Sequence, residues 1–337
     1  MAQATTVAPR IGTSPVAGPN TASRALGFLK TLAKRKPMGF ACLLVIVFLL
    51  FLAAFPGVLA THKPGDQTAG ERYRSYCLGP SDTFLCPSFR TKDTLLNRET
   101  VSVGSISTPF GTDQLGRDNY SRIIYATRIA VQIGFGAVLV SSTIALLIGV
   151  TSGYWGGKYD LFLQRFVDAV MSLPALVVLL ALPNLIGGPS VTKLVLILGV
   201  LGGVGGSRVI RSAVLGLRSA QFVEAARTVG ATPARIMVLH IIPNIFGPLM
   251  VQATIGLGGI ILAEAALGFL GLGLQQNDQP TWGYMLNLAR GVSVQQPWQA
   301  VWPGLAIAIA VFSFNMLGDA LRDLLDPRLR GARGGFS

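Results

Sequence analysis

Six runs of mostly apolar residues dominate this chain, at 38–59, 129–150, 166–186, 191–210, 241–270 and 300–318. A helix needs roughly 20 such residues to cross about 30 Å of hydrocarbon. The runs therefore predict an all-α membrane protein with six transmembrane helices. Composition agrees, with 51% hydrophobic and 13% charged residues. The third and fifth runs hold prolines (Pro174, Pro183, Pro248), which neighbouring helices tolerate by re-satisfying the freed carbonyls. The fourth and fifth are rich in glycine (Gly199, Gly202, Gly203; Gly256, Gly258, Gly259). Small residues let helices approach closely in lipid. A phosphate-binding loop would need the pattern GxxxxGK[ST], which the chain lacks.

The net charge of +13 is unevenly placed. Lys30, Lys34, Arg35 and Lys36 precede the first run. Lys158 and Arg165 flank the connection between the second and third. Arg208, Arg211, Arg218, Arg227 and Arg235 crowd the stretch after the fourth, and Arg322, Arg328, Arg330 and Arg333 follow the sixth. With six spans all four groups share one side, which the positive-inside rule makes the cytoplasm. Both termini are then cytoplasmic. No basic stripe interleaved with aromatics marks a nucleic-acid surface.

This organisation divides the chain. Residues 1–37 are a basic cytoplasmic tail, its first part rich in Ala, Thr, Pro and Gly and read as disordered. Residues 38–60 are the first span, retained rather than cleaved as a signal. An extracellular segment, 61–128, ends in an amphipathic helix with Tyr120, Ile123, Ile124 and Thr127 on one face and an Asp118–Arg122 pair on another. Residues 129–318 form a five-helix core, interrupted by a cytoplasmic loop at 211–240, and 319–337 a cytoplasmic tail. Cys77 and Cys86 lie in the external segment, where an oxidising environment permits a disulfide. Two cysteines with only a distant His62 do not make a metal site.

Charged residues within the runs are few. Arg165 and Asp168 stand three residues apart and pair near the cytoplasmic surface. Glu264 sits deep in the fifth run, where an acid costs about 2.5–3.5 kcal/mol and faces the bundle interior. One acid without a nearby Lys or His makes a poor proton relay. It reads instead as an interhelical hydrogen bond or a translocation-path contact.

Between the fourth and fifth runs lies a polar island, FVEAARTVGATPARIMVLHIIPN, at 222–244. Ser219 is the expected cap of a helix over 220–229, and Gly230 suits the left-handed position that ends it. Thr232 caps a second helix with Pro233 in its first position, running into the fifth span with Pro243 near its start. A glycine elbow between two helices, one made slim by Ala225 and Ala226, suits docking in a partner's groove. A simple interfacial loop is the plainer reading.

The spacing Glu224-Ala225-Ala226, Gly230, His240-Ile241-Ile242-Pro243 resembles the EAA loop of ABC-importer permeases. GTDQLGRD at 111–118, GYWGG at 153–157, Ser172-Leu173-Pro174, AEAALGFLGLG at 263–273, PTWGYML at 280–286 and FNMLGDALRDLLDPRLRG at 314–331 are similar to the C-type permeases of dipeptide, oligopeptide, glutathione and nickel importers. The external insertion at about 62–105 departs from the family's short form.

The resemblance implies a type I importer permease fold in a bacterial or archaeal cell (inner) membrane. Its implied partners are a second, homologous permease, two cytoplasmic ATPase subunits that hold ATP and Mg, and an extracellular substrate-binding protein. The chain itself would carry no catalytic residue, cofactor or metal. Glu224, Ala225, Ala226, Gly230 and Pro243 would form the ATPase-coupling element, Glu264, Asp168 and Arg165 the translocation-path or interhelical polar groups, and Asp113, Arg117 and Asp118 an outer gate or docking surface. Peptide is the expected cargo, with nickel, glutathione or another small solute as alternatives. A stand-alone channel or proton-coupled carrier is the rival from another class. A membrane enzyme is disfavoured, because His62 and His240, the only histidines, fall on opposite faces of the membrane.

Overall fold

The structure, a computed structural model, describes residues 21–67, 76, 89–93, 98–102, 108–274 and 279–325. Cys77, Cys86, the first part of the basic tail, Arg328, Arg330 and Arg333 lie outside the described residues. In chain order the helices are α1 Thr21–Arg35, α2 Pro37–Ala54, α3 Pro56–Leu59, α4 Asn119–Trp155, α5 Gly157–Met171, α6 Ala175–Leu185, α7 Val191–Leu217, α8 Gln221–Thr228, α9 Pro233–Ile236, α10 Ile242–Asn244, α11 Phe246–Phe269, α12 Trp282–Ala289 and α13 Trp298–Leu325. Among the described residues, five helices (α2, α4, α7, α11 and α13) are long and apolar enough to cross a membrane.

The expected third span is not one helix. Helices α5 and α6 meet at 80°. Proline has no N–H to give, and it drives the residue before it out of the helical region. Leu173-Pro174 therefore stops α5, and Ser172 turns its hydroxyl onto the Ala169 carbonyl at 2.8 Å. The pair counts as a sixth crossing only if the bend is taken within one span.

Two further expectations change. The chain is not wholly helical, because strands β1 (Phe89–Asp93) and β2 (Arg98–Ser102) form an antiparallel hairpin in the segment before α4. The amphipathic stretch from Leu115 is the entry to a span. From Asn119 it continues without a break as the first turns of the 37-residue α4. At the other end of the chain α13 runs to Leu325, past the expected start of the tail at 319.

Glycines explain the most extensive helix pairing, between α4 and α7. A methyl on Gly199 or Gly203 would lie 2.6 Å from Val140 Cβ or 2.7 Å from Ile144 Cβ. From the other side, Gly149 and Gly153 would place one 2.8 Å from Ile210 Cβ and Val214 Cβ. Both pairs recur every fourth residue, the small-xxx-small spacing that lets backbones meet in lipid. The core then fills between α2, α4, α7, α11, α12 and α13, with Ile133, Leu194, Leu267 and Trp282 fully enclosed and Cys42 buried on α2.

Candidate functional site

The polar island folds as an elbow at one end of the bundle. Helix α7 ends in a turn that Ala220 N closes on Leu217 O at 3.0 Å. Ser219 is consumed in that turn, so the first cap is the backbone of Ala220, without a side-chain bond, and not Ser219. Helix α8 follows. Val223 is wholly buried, Ala226 is half-buried, and Phe222, Glu224, Ala225, Arg227 and Thr228 are exposed. Glu224 stands in the first turn, where the helix dipole favours an acid.

The stop signal is as expected. Gly230 has φ +82°. Its N–H bonds Arg227 O at 2.9 Å, and Ala231 N bonds Ala226 O at 3.0 Å. That bond pair is a Schellman cap, which needs a left-handed residue and favours glycine there. Thr232 Oγ1 then accepts from Arg235 N at 3.4 Å, with Pro233 in the first helical position.

The second helix runs on into α11, as expected, but with a defect. A π-turn over Met237–Ile241 separates α9 from α10, and Ile245 (φ −95°, ψ 5°) is a single turn residue before α11 whose N–H still bonds Ile241 O at 3.1 Å. Pro243 is the cause. It cannot donate to Leu239 O, and its ring crowds that carbonyl. Widening the turn relieves the crowding, and Asn244 Nδ2 takes the carbonyl of His240 at 2.7 Å.

Two contacts around the elbow escaped the sequence reading. Arg227 lays its guanidinium over the ring of Tyr154, 5.3 Å from the centroid. Nearby, Asp160 holds Arg211 through Nε at 2.7 Å and through a second guanidinium nitrogen, and it also accepts from Ser152 Oγ. The GYWGG turn makes room for a further arginine, since a methyl on Gly156 (φ +64°) would strike the Arg218 guanidinium. An unusual Tyr-Trp-Gly-Gly run was the available signal; its partner, some 70 residues on, was not.

Arg165 and Asp168 do pair, at 3.5 Å, but Asp168 also takes Arg208 of α7. All three are exposed, so the group ties α5 to α7 at the surface. Glu264 is 1% exposed on α11. Its carboxyl is hydrogen-bonded to the Thr281 side chain, which caps α12. The contact is thus interhelical. It is reinforced where Gly283 abuts the backbone of Ala265 and Gly268 that of Tyr284. Two motifs separate in sequence, at 263–273 and 280–286, interlock backbone to backbone.

At the opposite end of the bundle the GTDQLGRD loop is a buried knot. Gly111 and Gly116 take φ +75° and +76°. Asp113 accepts from Leu115 N (2.9 Å), Arg117 N (3.0 Å) and the Arg117 guanidinium (2.7 and 2.6 Å), with Arg122 at 3.7 Å. Asp118 caps α4 through Tyr120 N and Ser121 N. The expected Asp118–Arg122 pair is therefore absent: a cap needs the carboxylate turned back onto the helix start, and Arg122 faces Asp113. Asn119 donates to Gln299 Oε1 at 3.0 Å, and Gln299 donates to Thr112 O, which binds the loop to α13. Asp113, Arg117 and Asp118 are 5%, 1% and 1% exposed. Internal bonds enclose all three side chains.

The family described as the binding-protein-dependent transport system inner membrane component matches residues 145–331, which include the elbow, the interlocked motifs and α13. The chain belongs to this family. It is an ABC-importer permease chain. It is similar to the dipeptide transport system permease protein DppC of Alkalihalophilus pseudofirmus, 39% identical over 66% of this chain and 72% of that one. It is 33% identical to the di/tripeptide transport system permease protein DppC of Pseudomonas aeruginosa, over 86% and 88%. The probable D,D-dipeptide transport system permease protein DdpC of Escherichia coli is also 33% identical, over 88% and 90%. Among solved structures, an inward-facing MetNI methionine ABC transporter chain superposes with a TM-score of 0.51 at 18% identity, covering 61% of this chain and 96% of that one. That likeness is one of fold.

Proposed function

We propose that this permease carries di- or oligopeptides inward through a bacterial inner membrane, as one half of a membrane pair with a homologous second permease. Both termini and the elbow face the cytoplasm, and α5 with α6 makes the sixth, bent crossing. Two ATPase subunits bind ATP and Mg, and an external binding protein delivers the peptide. The carrying observation is helix α8, which seats Val223 in the body and leaves Glu224, Ala225, Thr228 and Val229 in the open beside a rigid glycine cap. A short helix with a slim, exposed face is the shape that enters a partner's groove.

In the proposed cycle the ATPases close on ATP and displace α8 as a rigid body. The bundle opens outward, peptide enters from the binding protein, and hydrolysis returns the cavity inward. Selectivity lies largely with the binding protein. The names of the relatives favour peptide over nickel, glutathione or another small solute.

The test is reconstitution of the four membrane and ATPase subunits in proteoliposomes with the binding protein. Uptake of labelled dialanine that requires ATP and all subunits is expected. Uptake by this chain alone, without ATP, would refute the reading in favour of a channel or proton-coupled carrier. ATP-driven uptake of nickel without peptide would refute the cargo alone.

A further inference from the structure

A coupling helix transmits motion only if it is fixed to the body at more than one point. Its covalent link to α7 is a three-residue turn whose cap at Ala220 has no side-chain bond. Backbone bonds close that turn, but no side chain in it fixes the angle of α8 to α7. Val223 provides one fixed point, inside an apolar cluster that includes Tyr154, Val214, Ile236 and Met237. Arg227, one turn on and on the same face of α8, provides a second by resting on the ring of Tyr154.

Tyr154 is 8% exposed in the last turn of α4. Helix α4 has 37 residues and no break, so it reaches about 55 Å at 1.5 Å per residue. Its far end is bound into the buried knot by the Asp118 cap, the Asn119–Gln299 bond and the approach of Arg122 to Asp113. One continuous rod thus connects the elbow to the opposite end of the bundle, and the Arg227–Tyr154 contact joins α8 to that rod.

We propose that Tyr154 is a positioning residue, whose ring, gripped by Arg227, makes α4 follow α8 instead of letting the elbow swing about residues 218–220. The inference rests on the permease reading. It is specific to the π-face of the ring: bulk alone fills the Val223 cluster, whereas a guanidinium is held by the ring quadrupole. At a partly exposed site that attraction is a two- to fivefold effect, roughly, on a local equilibrium.

Two variant pairs separate grip from packing. Tyr154→Phe keeps the ring and Tyr154→Leu keeps only the bulk. Arg227→Lys keeps a cation and Arg227→Met keeps only the reach, at an exposed position whose replacement does not threaten folding. In the reconstituted transporter, ATP hydrolysed per labelled dialanine taken up should stay near wild type for Phe and rise about two- to fivefold for Leu and for Met. The double variant Tyr154→Leu/Arg227→Met should be no worse than either single one. In the full-length chain in nanodiscs, amide exchange over Gln221–Thr228 should quicken by a similar factor for the same variants. Equal ratios and equal exchange for Phe and Leu, or strictly additive losses in the double variant, would overturn the proposal. Wild-type complex without ATP-driven peptide uptake would count against the permease or cargo reading instead, while the exchange data would still decide the grip.

Discussion

Gly230 offers a clean measure of how firmly the elbow is shaped. Its φ of +82° lies in the left-handed region, and a methyl added there would meet nothing within 4 Å. Space is therefore not at issue, and substitutions report the backbone cost alone. An L-residue in this conformation costs about 1–2 kcal/mol, and Asn tolerates it best among non-glycines. A β-branched residue there is a true outlier. The expected order of destabilisation is Asn, then Ala, then Val, with Ala near 1 and Val at or above about 2 kcal/mol. Escape from the strained angle would sacrifice the Gly230–Arg227 and Ala231–Ala226 bonds, each worth about 0.5–1.5 kcal/mol. A loss of about 2 kcal/mol changes a local opening equilibrium near 30-fold. Hydrogen exchange at amides 230 and 231 of the full-length chain in nanodiscs reads this directly. Exchange in Gly230→Val no faster than in Gly230→Asn would refute the left-handed cap, and with it the rigid elbow. In the assembled transporter, Val should also lose more ATP-driven uptake than Asn.

Gly203→Leu should lower the melting temperature in detergent well below that of Gly259→Ala. The first drives a side chain into Ile144, whereas the second meets nothing within 4 Å and adds helix propensity; similar melting for both would contradict the α4–α7 contact. Asp113→Asn leaves the Arg117 and Arg122 guanidiniums buried without their shared carboxylate. A loss of about 3–5 kcal/mol is expected, visible as reduced yield of folded chain and early thermal unfolding. Arg122→Met should restore part of it in the double variant.

Local chemistry made the elbow legible in advance. Gly230, Thr232 and Pro233 act on neighbours within a few residues, so their spacing alone announced a stop and a restart. Ser219 misled for an equally local reason, since the turn leaving α7 used one residue more than expected. The glycines of the fourth run were recognisable as packing residues, but Val140 and Ile144, which fill their grooves, were not. At the knot, Asp118 and Arg122 had ideal spacing for a helical pair, yet Asp118 is 1% exposed and committed to the helix start. The pairing went instead to Asp113, whose backbone turn aims its carboxylate at both arginines.

Hydrophobic length and charge asymmetry are properties of contiguous residues, so the amino-acid sequence by itself determined a helical membrane protein with apolar runs and a capped polar elbow. Tertiary structure decided the 80° bend at Pro174, the π-turn before Pro243, the interlock of Gly268 with Gly283, and the grip of Arg227 on Tyr154. The proline signals were visible, but how far each helix bends or widens depends on the space its neighbours leave. The last two contacts join residues far apart along the chain, and no local pattern encodes which surfaces meet once the helices pack.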